Sequence, residues 1–174
     1  NISSLQSVRL ASLALVETWF HDMDAGWTRF LLDQYHIPYE VLRPSDLADP
    51  KKEIKADVII FPDQDKSVLM EGKYKRGSDS YMTADYPPEY VKGMGKEGLE
   101  KVLRFMNKGG RIVAWGRSAI LFEGLLEIKE KVTRKDKSVR EEKEEFILPF
   151  RDISESLSKS GLFCPGSLMK VNFL

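Results

Sequence analysis

The chain has 174 residues, enough for one domain with a sizeable core and no need of cross-links. Its 27 basic and 27 acidic residues cancel, so no net field draws it to nucleic acid or to an anionic membrane surface. Its composition is that of a soluble globular protein. No apolar run approaches the roughly 18 residues of a membrane span, and a single cysteine, Cys164, excludes an internal disulfide.

Arg9 to Val16 reads as a first buried strand, and its alternating apolar residues argue against a signal peptide. The chain opens on Asn1, and we expect it to be part of a longer protein. Asp24 stands as an N-cap ahead of a helix from Ala25 to Tyr35, in which Trp27, Phe30, Leu31 and Tyr35 share one face. His36-Ile37-Pro38 ends it, because the residue before proline avoids the α region. Tyr39 to Leu42 is a second strand, and residues 56 to 61 give a third, continuously apolar as strands covered on both faces are.

Residues 62 to 94 read as a long loop with Gly72, Gly77 and Pro87-Pro88, of the kind that serves as a lid or mobile segment. Gly95 to Lys108 is an amphipathic helix with Leu99, Val102, Leu103 and Met106 inward, closed by Gly109-Gly110. Arg111 to Trp115 is the fourth strand. Residues 127 to 145 hold seven acids and seven bases, a solvated helix or hairpin arm. The expected fold is therefore a three-layer α/β sandwich on one mainly parallel sheet. The strand after the first helix should flank the first strand on one side, and the third strand should flank it on the other.

Four features invite chemistry. Gly116-Arg117-Ser118-Ala119-Ile120 fills four of the five places of a G-x-S-x-G nucleophile elbow, which needs an exposed serine, a base and oxyanion donors. The chain's two histidines, His21 and His36, both precede Ser118, whereas in elbow enzymes the histidine follows. The preferred reading is a turn kept for the fold, with Ser118 capping the following helix. The alternative is a hydrolase in which Ser118, beside Arg117, takes His21 as base, since triads recur in different chain orders.

The second feature is Gly93 to Gly98, which spells G-x-G-x-x-G without a preceding strand or a following acid, and so is no cofactor site. The third is the group His21, Asp22, Asp24, Asp63 and Asp65, which follows strand ends and could share a crevice for a ligand, although no metal motif is present. The last is Cys164, before Pro165-Gly166, which reads as a small structural residue in a turn. No cofactor is expected.

Met23 to Phe30, Asp57 to Gln64, Pro88 to Gly95, residues 109 to 118 and Phe163 to Leu168 occur in an order that resembles one family. It is the class I glutamine amidotransferase-like domain at the C-terminus of bacterial zinc carboxypeptidases. The resemblance implies a flavodoxin-like sandwich, one domain over residues 1–174 with a charged insertion at about 127–150, and an extracytoplasmic parent enzyme with an upstream peptidase domain. In the glutaminase relatives a cysteine sits at the elbow with a later histidine. Here Arg117 or Ser118 holds that place and no histidine follows. The expectation is a non-catalytic accessory domain binding a peptide or glycan, through Asp24, Asp63, Gln64 and Tyr90 beneath the 62–94 loop, whose Tyr74, Tyr81 and Tyr86 could also contact it or pin the loop.

Overall fold

The computed structural model describes residues 9–19, 22–76, 80–81, 86–133, 139–148, 159 and 161. In chain order its elements are β1 (Leu13–Val16), α1 (Met23–Gln34), β2 (Tyr39–Leu42), α2 (Pro44–Ala48), β3 (Val58–Phe61) and α3 (Lys66–Glu71). The short strands β4 (Lys75–Arg76) and β5 (Ser80–Tyr81) follow, then α4 (Gly95–Asn107), β6 (Arg111–Ala114) and a 3-10 helix (Gly116–Phe122). Two long strands, β7 (Gly124–Thr133) and β8 (Val139–Leu148), come last.

Four strands form one sheet in the order β2-β1-β3-β6, with every pairing parallel. β2 flanks β1 on one side and β3 on the other, as right-handed crossovers predict from the element order. The molecule is an α/β sandwich of flavodoxin-like architecture. Side chains alternate across each strand. Ala14, Val16, Leu42, Ile59, Phe61, Ile112 and Ala114 face one layer, where α2, α3 and α4 supply Leu47, Leu69, Val102 and Leu103. Leu121 and Phe122 of the 3-10 helix complete that core, Phe122 edge-on to Phe61. Leu15, Ile60 and Val113, aligned by the strand register, belong to the opposite face with Ala25 of α1.

Gly98 lets α4 approach α2, since a Cβ there would collide with Met94 and press on the backbone of Leu47 and Ala48. Lys101 locks the pair by donating from Nζ to the carbonyls of Asp49 (2.7 Å) and Lys52. Burial pushes its ammonium below the ordinary lysine value.

Two expectations are corrected, and one helix was missed. The cap of α1 is Asp22, whose carboxylate accepts from Ala25 N, while Asp24 lies in the first turn. Residues 62–94 are not one loop: Val68 and Leu69 bury into the core and form α3, and β4 and β5 make a small antiparallel hairpin. α2 went unpredicted, although Pro44 at its first position and Asp46, which accepts from Arg43 N at 2.8 Å, are its start signals. α1 ends in a Schellman turn in which His36 takes a left-handed φ of 51° and Ile37 N reaches Leu32 O. The charged segment is an antiparallel hairpin, its base closed by Gly124 opposite Leu148. Cys164, Gly77 and His21 lie outside the described residues.

Candidate functional site

In a parallel sheet the carboxyl ends of the strands gather the loops that bind ligands. Here they bring together the described residues after β1 (17–19 and 22), β2 (43), β3 (62–65) and β6 (115–118), with the 88–92 stretch beside them.

Ser118 sits in the 3-10 helix after β6 and is fully buried. Its hydroxyl donates to the carbonyl of Pro62, and its Oγ accepts from Gln64 N at 3.0 Å. It therefore fastens the loop after β3 to the turn after β6. It does not cap its own helix as the sequence predicts, for that helix has Trp115 at its N-cap and no side-chain cap. A nucleophile must be exposed and hydrogen-bonded to a base; Ser118 is neither exposed nor, among the described residues, bonded to an imidazole. His21, the base of the alternative reading, lies outside the described residues.

Gly116 has φ of +59°, and a Cβ there would occupy the space of the Asp63 carboxylate. That closeness lets Asp63 accept from Arg117 N (2.6 Å), Nε (3.1 Å) and Nη2 (2.9 Å), a backbone contact plus a forked ion pair. Asp65 holds the other guanidinium nitrogen at 2.8 Å. Burial works against the charge on Asp63, but the hydrogen bonds from the Arg117 side chain and N–H outweigh it and hold the carboxyl below its ordinary value. The same partners raise the Arg117 guanidinium above its already high value.

Gln64 is buried, with Nε2 on Thr18 Oγ1 (3.0 Å) and Oε1 accepting from Asp65 N (2.9 Å). Thr18 in turn gives its N–H (2.6 Å) and hydroxyl (2.9 Å) to Asp22. Burial pushes the Asp22 carboxyl up, against the pull of those hydrogen bonds from Thr18 and that of Ala25 N. Asp24 accepts from Trp115 Nε1 at 3.0 Å, joining α1 to the end of β6.

Of the residues singled out from sequence, Asp63, Gln64, Arg117 and Ser118 thus come together. They do so as a buried and ion-paired clasp between two loops. Asp22, Asp24, Asp63 and Asp65 each have a protein partner, and among the described residues no three His, Cys, Asp or Glu side chains are grouped to hold a metal.

Tyr90 keeps different company. Its ring meets Trp19 edge-on at 4.9 Å, and the Arg43 guanidinium lies 3.8 Å over the Trp19 ring. Arg43 is fixed by the carbonyls of Glu17 (3.2 Å) and Thr18 (3.0 Å). Trp19 and Tyr90 both keep more than a third of their surface in solvent, beside a narrow crevice that also touches Pro44, Val68 and Lys92. Sequence reasoning missed Trp19 and Arg43. Their signal was an aromatic three residues beyond a buried strand and an arginine directly after the next one.

At the opposite, amino end of the strands an open cleft is lined by Arg9, Asp57, Phe105 and Arg111. Asp57 accepts there from Ser12 N and Oγ, which with Arg9 hold its carboxyl below the ordinary value.

No family model matches the chain, and neither a curated protein nor a solved structure is significantly similar to it. Among the described residues, no helix is long and apolar enough to cross a membrane.

Proposed function

We propose that this chain is a non-catalytic, ligand-binding domain of the class I glutamine amidotransferase-like kind. It would serve as an accessory module of a secreted zinc carboxypeptidase and work outside the cytoplasm. The observation that carries the non-catalytic reading is the engagement of Ser118 on both sides, by the Pro62 carbonyl and by Gln64 N, with no surface left for a substrate. The neighbouring Arg117, closed between Asp63 and Asp65, is likewise occupied in holding the loops.

The surface that supports binding is the Trp19–Tyr90 pair with Arg43 stacked behind it. Exposed aromatic rings held rigid by a fixed cation offer flat apolar area at little entropic cost, as peptide and glycan sites do. Asp24, in the first turn of α1, and Tyr86, two residues before the 88–92 stretch, would set the limits of such a ligand.

Two measurements test the proposal. A fluorophosphonate probe should leave Ser118 unlabelled, and labelling of that residue by peptide mapping would overturn the non-catalytic reading. Titration with cell-wall glycopeptide or oligosaccharide fragments should quench the tryptophan emission, and Tyr90→Ala should weaken that response without changing the thermal midpoint. A panel of such ligands that leaves Trp19 untouched would remove the binding assignment.

A further inference from the structure

Positive charge is in surplus at the amino end of the sheet. β1, β3 and β6 are parallel neighbours, so the residues that lead into them stand side by side. Arg9 precedes β1, Asp57 precedes β3, and Arg111 opens β6 with its N–H on Asp57 O at 3.0 Å. The end of α4 borders the same cleft with Phe105 and Lys108. The cleft measures about 430 Å³, within the range of small-ligand sites.

One carboxylate meets three cations there, and it is already engaged. Asp57 accepts from Ser12 N (2.8 Å) and Oγ (2.9 Å), and its two oxygens share Arg9 Nη2 at 3.3 and 3.2 Å. Lys108 and Arg111 are exposed, and among the described residues neither has an ion-pair partner. The end of α4 does not occupy them either. Gly109, at φ of +92°, turns the chain so that its N–H reaches Met106 O and that of Gly110 reaches Phe105 O, each at 3.0 Å. Backbone donors thus take carbonyls that a basic side chain would otherwise serve. A concave surface with unopposed cations concentrates anions.

The wall beside those cations is apolar. A Cβ at Gly110 would stand 2.4 Å from Phe105 Cε1 and Cζ, so the missing side chain gives the half-buried ring its place at the cleft. Ala11 and Ala56 bring no polar side chain to it. Inorganic phosphate would use the cations alone. A ligand that uses the whole cleft has a charged end and a flat apolar body.

We propose that this cleft binds a small organic anion, a carboxylate or phosphate borne on a flat ring, with its charge on Arg111 and Lys108 and its ring along Phe105. Arg111 supplies a planar fork that suits either oxyanion, and Lys108 a mobile point charge. The site lies at the other end of the strands from the Trp19–Tyr90 surface and does not depend on the function given to that surface.

The test titrates the full chain with phenyl phosphate and benzoate, read at the amide resonances of Gly109 and Gly110, with inorganic phosphate and phenol as controls. At least one ringed anion should shift both amides saturably, and the tighter of the two names the oxyanion. It should bind at least about threefold more tightly than inorganic phosphate, the margin that one ring contact supplies. Arg111→Gln, with unchanged circular dichroism, should weaken it at least about tenfold, as loss of a charge-assisted hydrogen bond does. Lys108→Gln should weaken it less. Amides unmoved by both ringed anions at millimolar concentration would overturn the proposal. Inorganic phosphate bound as tightly as the ringed anion would overturn it in favour of a plain cationic surface, and phenol bound as tightly would remove the role of charge. Full affinity retained in folded Arg111→Gln and Lys108→Gln proteins would sink the assignment of the anion to these side chains.

Discussion

α1 and α4 both carry an apolar stripe at helical spacing, yet they meet opposite fates. In α4, Val102 and Leu103 are buried and Leu99 and Met106 pack beside them. In α1 the small Ala25 is buried, while Trp27, Phe30, Leu31 and Tyr35 are exposed, Trp27 and Phe30 meeting edge-on. Periodicity says which residues share a face. Whether that face meets a core depends on what else the topology brings to it, and among the described residues the α4 side of the sheet is supplied with three more elements than the α1 side.

If that contrast is energetic, the largest loss should come from the α4 side. Leu103→Ala should cost about 3 kcal/mol in denaturant unfolding, as a buried leucine loses its contacts and leaves a cavity. A loss under about 1 kcal/mol, the range of volume-conserving changes, would mean that the two faces are not so different. Gly116→Val comes next, at about 2 kcal/mol, because a β-branched residue is forced into left-handed φ. Ser118→Ala should follow at about 1.5 kcal/mol, since it strands the buried N–H of Gln64. Both are read from the shift in denaturant midpoint.

The clasp between the two loops should show its charge in a pH titration. Asp63 is held below its ordinary value, so its contribution is present above the ordinary carboxylate range and is lost as pH falls through the lowered value. Asp22, raised by burial, acts in the opposite sense, favouring the fold most when protonated. The Asp63→Asn difference isolates the first effect, and at this exposure it should amount to about 1 kcal/mol or less. Parallel pH profiles for the two proteins would remove the role given to this ion pair. Smallest of all, Phe30→Ser on the outward side of α1 should change stability by no more than about 0.5 kcal/mol. A thermal midpoint lowered as much as that of Leu103→Ala would show that this side, too, is core.

The sheet was legible because its strands are short, apolar and separated by helix signals, and connection handedness then leaves one order for β2, β1 and β3. α3 was hidden by reading Gly72 and Pro87-Pro88 as loop punctuation, when Gly72 is the left-handed end of a helix that buries Val68 and Leu69. At the carboxyl edge the residue types were visible but their partners were not. Asp63 and Arg117 are 54 residues apart, and nothing local announces that one carboxylate will receive both a backbone N–H and a guanidinium fork. The same holds for Ser118, whose elbow-like neighbours argue for exposure while its long-range contacts bury it.

The hydrogen bond from Trp115 to Asp24 spans 91 residues. β1 and β2 can meet across a single helix, but β3 must find β1 over 45 residues, the separation of the Ser12–Asp57 contact at their base. β6 can dock only after β3 has done so. The indole therefore reaches its carboxylate when the whole order of strands is in place. In a refolding experiment its emission would register the final closure of the sheet, after the helices have formed and the early strands have paired, because contacts so distant in sequence carry the greatest loop-closure cost.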